Sequence, residues 1–245
     1  MERIRCFDAI RGFSVASMVL FHFCYDLRFI YNIDLSWFRP PLQDVWRASI
    51  SWTFLLVAGC MCSLSRDNLR RAGKYGLVAL AIFLVTFFAG VDDPISFGII
   101  FCMAGSTLIA WLLDRIGLMP HGYVASSVLF ALFLITLRLP EGIVGVGPVT
   151  FRVPVQCYEI PWLAWLGFPS PGFVSSDYYP LLPFTLLFLC GASLGSKWHA
   201  DSYPSWLLAI RCRPLEWVGR NALPCYVLHQ PVLLALGSVL TARIP

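Results

Sequence analysis

The chain has 245 residues, 58% of them hydrophobic and only 13% charged, whereas soluble domains carry about 25% charged residues. That balance excludes an ordinary soluble fold and points to a polytopic membrane protein. The formal net charge of +4 is no nucleic-acid signature, because the basic residues sit in short loops between apolar runs.

At about 20 apolar residues per crossing, seven spans are predicted in chain order: Ala9–Ile30, Ser49–Leu64, Tyr75–Val91, Ile95–Leu113, Tyr123–Leu139, Tyr179–Leu194 and Ala222–Leu240. Met1–Arg5 is too short for the charged region of a cleaved signal, so the first helix is expected to stay. The fold class is therefore an all-α membrane protein of about seven transmembrane helices in a single domain, residues 1–245. Lys and Arg set its orientation. With the N-terminus inside, the cytoplasmic set is Arg3, Arg5, Arg11, Arg66, Arg70, Arg71, Lys74, Arg115, Lys197, Arg211, Arg213 and Arg220, twelve in all. The outer set is the six residues Arg28, Arg39, Arg47, Arg138, Arg152 and Arg243, so the expected topology is N-in, C-out.

Two stretches are neither span nor plain loop. Residues 140–178 are rich in Pro, Gly and aromatics and long for a connection, and they are read as a lid at the outer interface. Residues 203–219 mix Trp and Leu with Arg211 and Arg213 and are read as a short interfacial helix on the cytoplasmic side. No internal repeat is visible. The nine cysteines lie mostly inside apolar runs without repeated spacing, as small buried hydrophobes rather than a disulfide framework.

The stretch RIRCFDAIRGFSVASMVLFHFCYDLR carries polar groups where lipid does not tolerate them. At about 100° per residue, Arg11 and His22 lie about 20° apart around the helix and roughly 16 Å apart along it. Asp8, Ser14, Met18, Tyr25 and Asp26 share that face, while Phe13, Ala16, Leu20 and Phe23 lie opposite. His22 falls near the bilayer midplane, and Asp26, one turn on, is placed to orient its ring and leave the other nitrogen as a general base. The plain alternative for His22 is a hydrogen bond to a neighbouring helix. Arg11 at the cytoplasmic mouth is suited to a phosphate or carboxylate, with snorkelling to headgroups or pairing with Asp8 as the structural alternatives.

The last span repeats the pattern in GRNALPCYVLHQPVLL. His229 and Gln230 lie mid-span beside Pro231, which frees backbone carbonyls that protein or a cavity must satisfy. Arg220 sits just inside the cytoplasmic face. Asp177 precedes the sixth span, where capping that helix is the plain reading. No metal is expected: His22 and Cys24 are on different faces, and His199 and Asp201 form a loop pair without further ligands.

RIRCFDAIRGFSVASMVLFHFCYDL resembles the opening of bacterial members of the heparan-alpha-glucosaminide N-acetyltransferase catalytic-domain family. FLLVAGCMCSL, ISFGII, GFPSPGFVSSDYYPLLPFTLLFLCGASLG and PLEWVGRNALPCYVLHQPVLL resemble that family's later landmarks, in order. The Arg11-x10-His22 spacing also resembles the Arg/His pair of acyltransferase family 3. Where the first family's fourth helix commonly carries a His, this chain has Phe101. The resemblance implies transfer of an acyl group, probably acetyl from acetyl-CoA as co-substrate, to a hydroxyl or amine of a glycan-like acceptor in a bacterial cytoplasmic membrane. It implies Arg11 and His22 as site residues, with Arg220 and His229 as companions. Taken with the reading of the residues themselves, the expected catalytic set is His22, Asp26 and Arg11, and Asp8, Arg220, His229, Gln230 and Asp177 are expected to bind donor or acceptor. Membrane lipids and acyl-CoA are the implied partners, nucleic acid is not, and a homo-oligomer stays open. The rival classes are a proton-coupled transporter using His22, Asp26 and His229 as a relay, and a non-catalytic membrane partner protein.

Overall fold

Nine α-helices form among the residues that the computed structural model describes, 4–90 and 93–241. They are α1 (Arg5–Tyr25), α2 (Leu42–Cys60), α3 (Asn68–Ala89), α4 (Ile99–Arg115), α5 (Gly122–Thr136), α6 (Leu181–Ala200), α7 (Ser205–Ala209), α8 (Arg213–Arg220) and α9 (Ala222–Thr241). The predicted positions Arg3, Val91 and Arg243 lie outside the described residues. Counted with their terminal turns, six helices are long and apolar enough to cross a membrane: α1, α2, α3, α5, α6 and α9. The remaining predicted span is α4, which at 17 residues still falls within the length that reaches across a hydrocarbon core. The chain is an all-α integral membrane protein.

By internal packing the chain divides into two compact units, Met1–Val57 with Tyr203–Pro245, and Ala58–Ser202. In the first unit the ends of the chain meet. The predicted faces of α1 hold: Asp8, Ser14, Met18 and Asp26 are buried, while Phe13 and Leu20 are exposed. What lets α8 lie against α1 is a pair of glycines. A Cβ on Gly12 would overlap the Leu215 carbonyl, and one on Gly219 would overlap the Asp8 carbonyl. Small residues at a crossing allow this backbone approach, and helix association inside lipid relies on it. The Trp46 indole N–H donates to Ser17 Oγ at 2.8 Å, and Phe21, Cys24 and Phe38 close a small core beside it. The interfacial segment is two short helices, α7 and α8, rather than one, parted at residues 210–212. Pro214 opens α8 in the helix's first turn, and buried Glu216 accepts from the Cys212 amide at 3.2 Å.

In the second unit, Asp67 caps α3 by accepting from the Arg70 amide at 2.8 Å, and Gly90 ends it in the left-handed conformation. Arg71 does not simply point to headgroups. Its guanidinium donates to the Ala58 carbonyl at 3.0 Å and to the Tyr75 hydroxyl at 3.3 Å, fastening α3 to the end of α2. There Gly59 and Gly195 bring α2 and α6 into backbone contact. Buried hydroxyls cross-link the helices: Ser106 to Thr185 at 2.9 Å, and Ser126 to the Cys190 carbonyl at 3.0 Å. The expected outer lid contains a β-hairpin, β1 (Ile143–Val146) against β2 (Val149–Arg152), antiparallel with Ile143 opposite Arg152. Short 3-10 turns follow it. The Tyr158 and Tyr178 hydroxyls donate to the Leu139 and Ala164 carbonyls. Burial pushes both phenols up, so they stay neutral donors. All nine cysteines are free.

Candidate functional site

The first unit collects seven of the eight predicted site residues. The α-helical turns of α1 give way at Asp26 to a π-helical turn, Asp26–Ile30, closed by the Tyr31 amide on the Asp26 carbonyl at 2.9 Å. Such turns recur at functional sites because they re-aim side chains that an unbroken α-helix would keep in register. The Tyr31 hydroxyl then donates to the Leu234 carbonyl at 2.7 Å and ties this turn to α9.

His22 and His229 face one another with ring centroids 4.8 Å apart and planes inclined by 58°. The edge of Phe21 packs against His22, and Tyr226 lies beside His229. His229 Nδ1 is bonded to the Tyr226 carbonyl. A carbonyl only accepts, so Nδ1 carries the proton, and in the neutral ring Nε2 keeps its lone pair. That Nε2 is buried and has no hydrogen-bond partner among the described residues.

Asp26 is 1% exposed. Both of its carboxylate oxygens accept from Gln230 Nε2, at 3.0 and 3.2 Å. The expected Asp26–His22 bond is not formed, because the π-turn begins at Asp26 and the carboxylate is taken up by α9. Gln230 therefore turns its Oε1 away from Asp26, and that oxygen too is buried and unpartnered. Pro231, next in sequence, cannot donate to the Val227 carbonyl one turn back.

The cationic end lies eleven residues before His22, roughly 16 Å along the helix. Arg11 Nη2 meets Asp8 Oδ1 at 2.8 Å, and Arg11 Nε donates to the Gly219 carbonyl at 2.6 Å. Asp8 is thus the structural partner of Arg11. Arg220 follows Gly219 directly. It is exposed, with Nε on the Glu216 carbonyl at 3.2 Å, so the two arginines flank one glycine.

Asp177 belongs to the second unit. Its Oδ2 accepts from the Ile99 amide at 3.0 Å, so it caps α4 and not the helix it precedes. Phe101 lines an open cleft of about 760 Å³ between α3 and α4, with Gly73, Gly76, Phe97 and Gly105. The one polar side chain on that lining is Ser96, so this cleft offers no acid–base chemistry. Among the described residues no group of three His, Cys, Asp or Glu side chains is arranged around a metal.

Sequence reasoning missed Tyr226, whose carbonyl fixes the His229 tautomer, and Gly219, whose carbonyl holds Arg11. Backbone partners leave no trace in residue type. The glycine itself was the available signal for α8.

Residues 3–231 match the family described as heparan-alpha-glucosaminide N-acetyltransferase, catalytic. The chain belongs to that family. The matched region takes in Arg11, His22, Asp26, Arg220, His229 and Gln230. No curated protein and no solved structure matches the chain.

Proposed function

We propose that the protein is an acyltransferase that moves an acetyl group from acetyl-CoA to a hydroxyl or amine of a glycan-like acceptor in a bacterial cytoplasmic membrane. The observation that carries this reading is the imidazole pair of α1 and α9, 4.8 Å apart, inside the family-matched chain. His22 is the general base. It takes the proton of the acceptor O–H or N–H as that oxygen or nitrogen attacks the thioester carbonyl carbon. The C–S bond breaks, and the departing thiolate takes the proton up. Arg11 and Arg220 are the donor's phosphate contacts. The twofold excess of Lys and Arg in the N-terminal set of loops supports an inside position for both. The roughly 16 Å between Arg11 and His22 suits a donor with phosphates at one end and a thioester at the other.

The test is acetyl transfer by detergent-purified protein from acetyl-CoA to D-glucosamine and to glycerol. His22→Gln keeps volume and hydrogen bonding but cannot act as a base near neutral pH. The expected loss is about 10²–10⁴-fold in kcat at unchanged melting temperature. A fully active His22→Gln protein would remove His22 from the reaction, and acetyl-CoA-independent behaviour throughout would remove the acyltransferase reading.

A further inference from the structure

Two hydrogen-bond acceptors stand side by side in the sequence of α9, both buried and both without a partner: His229 Nε2 and Gln230 Oε1. Neither is left so by rotational freedom. His229 Nδ1–H donates to the Tyr226 carbonyl, which leaves the lone pair of the neutral ring on Nε2. The Asp26 carboxylate takes Gln230 Nε2 on both oxygens, which fixes the amide and turns Oε1 the other way. Turning the amide over would set Oε1 against the Asp26 oxygens, and turning the ring over would leave only a C–H on the Tyr226 carbonyl. A buried polar atom without a partner costs about 1–3 kcal/mol, and a membrane-spanning helix has no bulk water to satisfy it. Two such atoms of the same kind, each fixed by a second residue, call for a ligand that brings donors.

We infer that His229 and Gln230 are the acceptor-selecting residues of this site, and that they bind a molecule carrying at least two O–H or N–H donors besides the group that reacts. The inference rests on the acyl-transfer reading and deepens it: His22 removes the reacting proton, while His229 and Gln230 hold neighbouring groups. Groups that only accept, such as carboxylates, ethers and phosphates, bring no hydrogen to these two acceptor atoms. Tyr226 and Asp26 are positioning residues that act through them.

Two amines with the same carbon skeleton separate selection from chemistry. 2-Amino-1,3-propanediol carries the reacting amine and two hydroxyls; isopropylamine carries the amine alone. The wild-type protein with acetyl-CoA is expected to favour the diol by at least about tenfold in kcat/KM, the value of one buried hydrogen bond. His229→Leu and Gln230→Met should bring the ratio close to one, with the KM for the diol rising more than the KM for isopropylamine. His229→Gln, whose amide oxygen reaches the place of Nε2, should restore the preference, which a base role would not allow. An unchanged ratio in His229→Leu overturns the inference. So does an equal fall of kcat and kcat/KM that His229→Gln does not rescue.

Nitrogen-15 spectra of histidine-labelled protein decide the matter even if neither amine is acetylated. The signal expected for His229 is that of an imidazole protonated at Nδ1 and bare at Nε2, missing from His229→Leu. That bare nitrogen should move on addition of the diol and stay in place with isopropylamine. An Nε2-protonated His229, or equal response to both amines, refutes the assignment.

Discussion

Removing Gln230 tests how the buried Asp26 is held. Gln230→Leu deletes the amide that donates to both carboxylate oxygens, at 3.0 and 3.2 Å, of a side chain that is 1% exposed. A hydrogen bond to a charged group contributes about 1.5–3 kcal/mol, whereas side-chain bonds between membrane helices average about 0.6 kcal/mol. The two figures separate the possibilities. If Asp26 is a carboxylate that depends on Gln230, the Leu variant should lose about 2–3 kcal/mol. For a chain of this size each 1 kcal/mol moves the melting temperature by about 2–4 °C, so a fall of about 5–10 °C is expected. Asp26→Leu in the Gln230→Leu background should recover part of that loss, since no acceptor is then left unpaired. The coupling from the full cycle, read by thermal unfolding in detergent, should reach about 1.5 kcal/mol or more. A coupling at or below about 0.6 kcal/mol would reduce the pair to an ordinary helix–helix contact and refute the reasoning.

Gly219→Val should abolish the folded yield in fluorescence-detected size exclusion, because its side chain would enter the Asp8 carbonyl, a backbone group that cannot swing aside; Gly73→Val, with nothing within 4 Å of its Cβ, is the tolerated control, and a normal yield of the first would refute the close crossing. Arg11→Lys should raise the KM for acetyl-CoA about tenfold, the value of one charge-assisted hydrogen bond, and leave the KM for S-acetyl-pantetheine unchanged, since that donor lacks the nucleotide phosphates. Equal effects on both donors would take Arg11 out of phosphate binding.

The helices were the legible part of this chain, and their ends were not. Hydropathy locates the stretch of a helix that lies in hydrocarbon. It is silent about polar turns beyond it, so α2 begins at Leu42 and α3 at Asn68, each seven residues before its apolar run. The hairpin was within reach: Gly147-Pro148 sits between Ile143–Val146 and Val149–Arg152, β-branched runs on both sides of a turn signal. Its presence inside a chain otherwise built of spans hid it. The polar face of α1 was readable from a 100° periodicity alone, and it placed Arg11, His22 and Asp8 on the side that packs. Periodicity also put Asp26 on the buried side but did not give its partner, since the π-turn begins at that residue and the carboxylate bonds Gln230 rather than His22. Asp177 failed differently. A cap is expected on the helix that follows in sequence, and here it serves α4, 78 residues away.

What joins the two ends of the sequence is the demand that lipid makes on polar atoms. In water, Asp26, Gln230, His22 and His229 could each be satisfied singly. Inside a bilayer each must find a partner in protein or bear the full cost of isolation. The first and last spans hold complementary sets: a carboxylate and an imidazole on α1, an amide and an imidazole on α9. One pairing between these sets is made, Gln230 to Asp26; His229 bonds the Tyr226 carbonyl of its own helix, and the Tyr31 hydroxyl adds a bond to the Leu234 carbonyl. After them two buried acceptors are left over, His229 Nε2 and Gln230 Oε1. A purely structural polar seam would tend to close on itself, since every open atom weakens it. A seam that holds its remaining acceptors rigidly, and spends an aspartate and a backbone carbonyl on doing so, is built to be completed by another molecule.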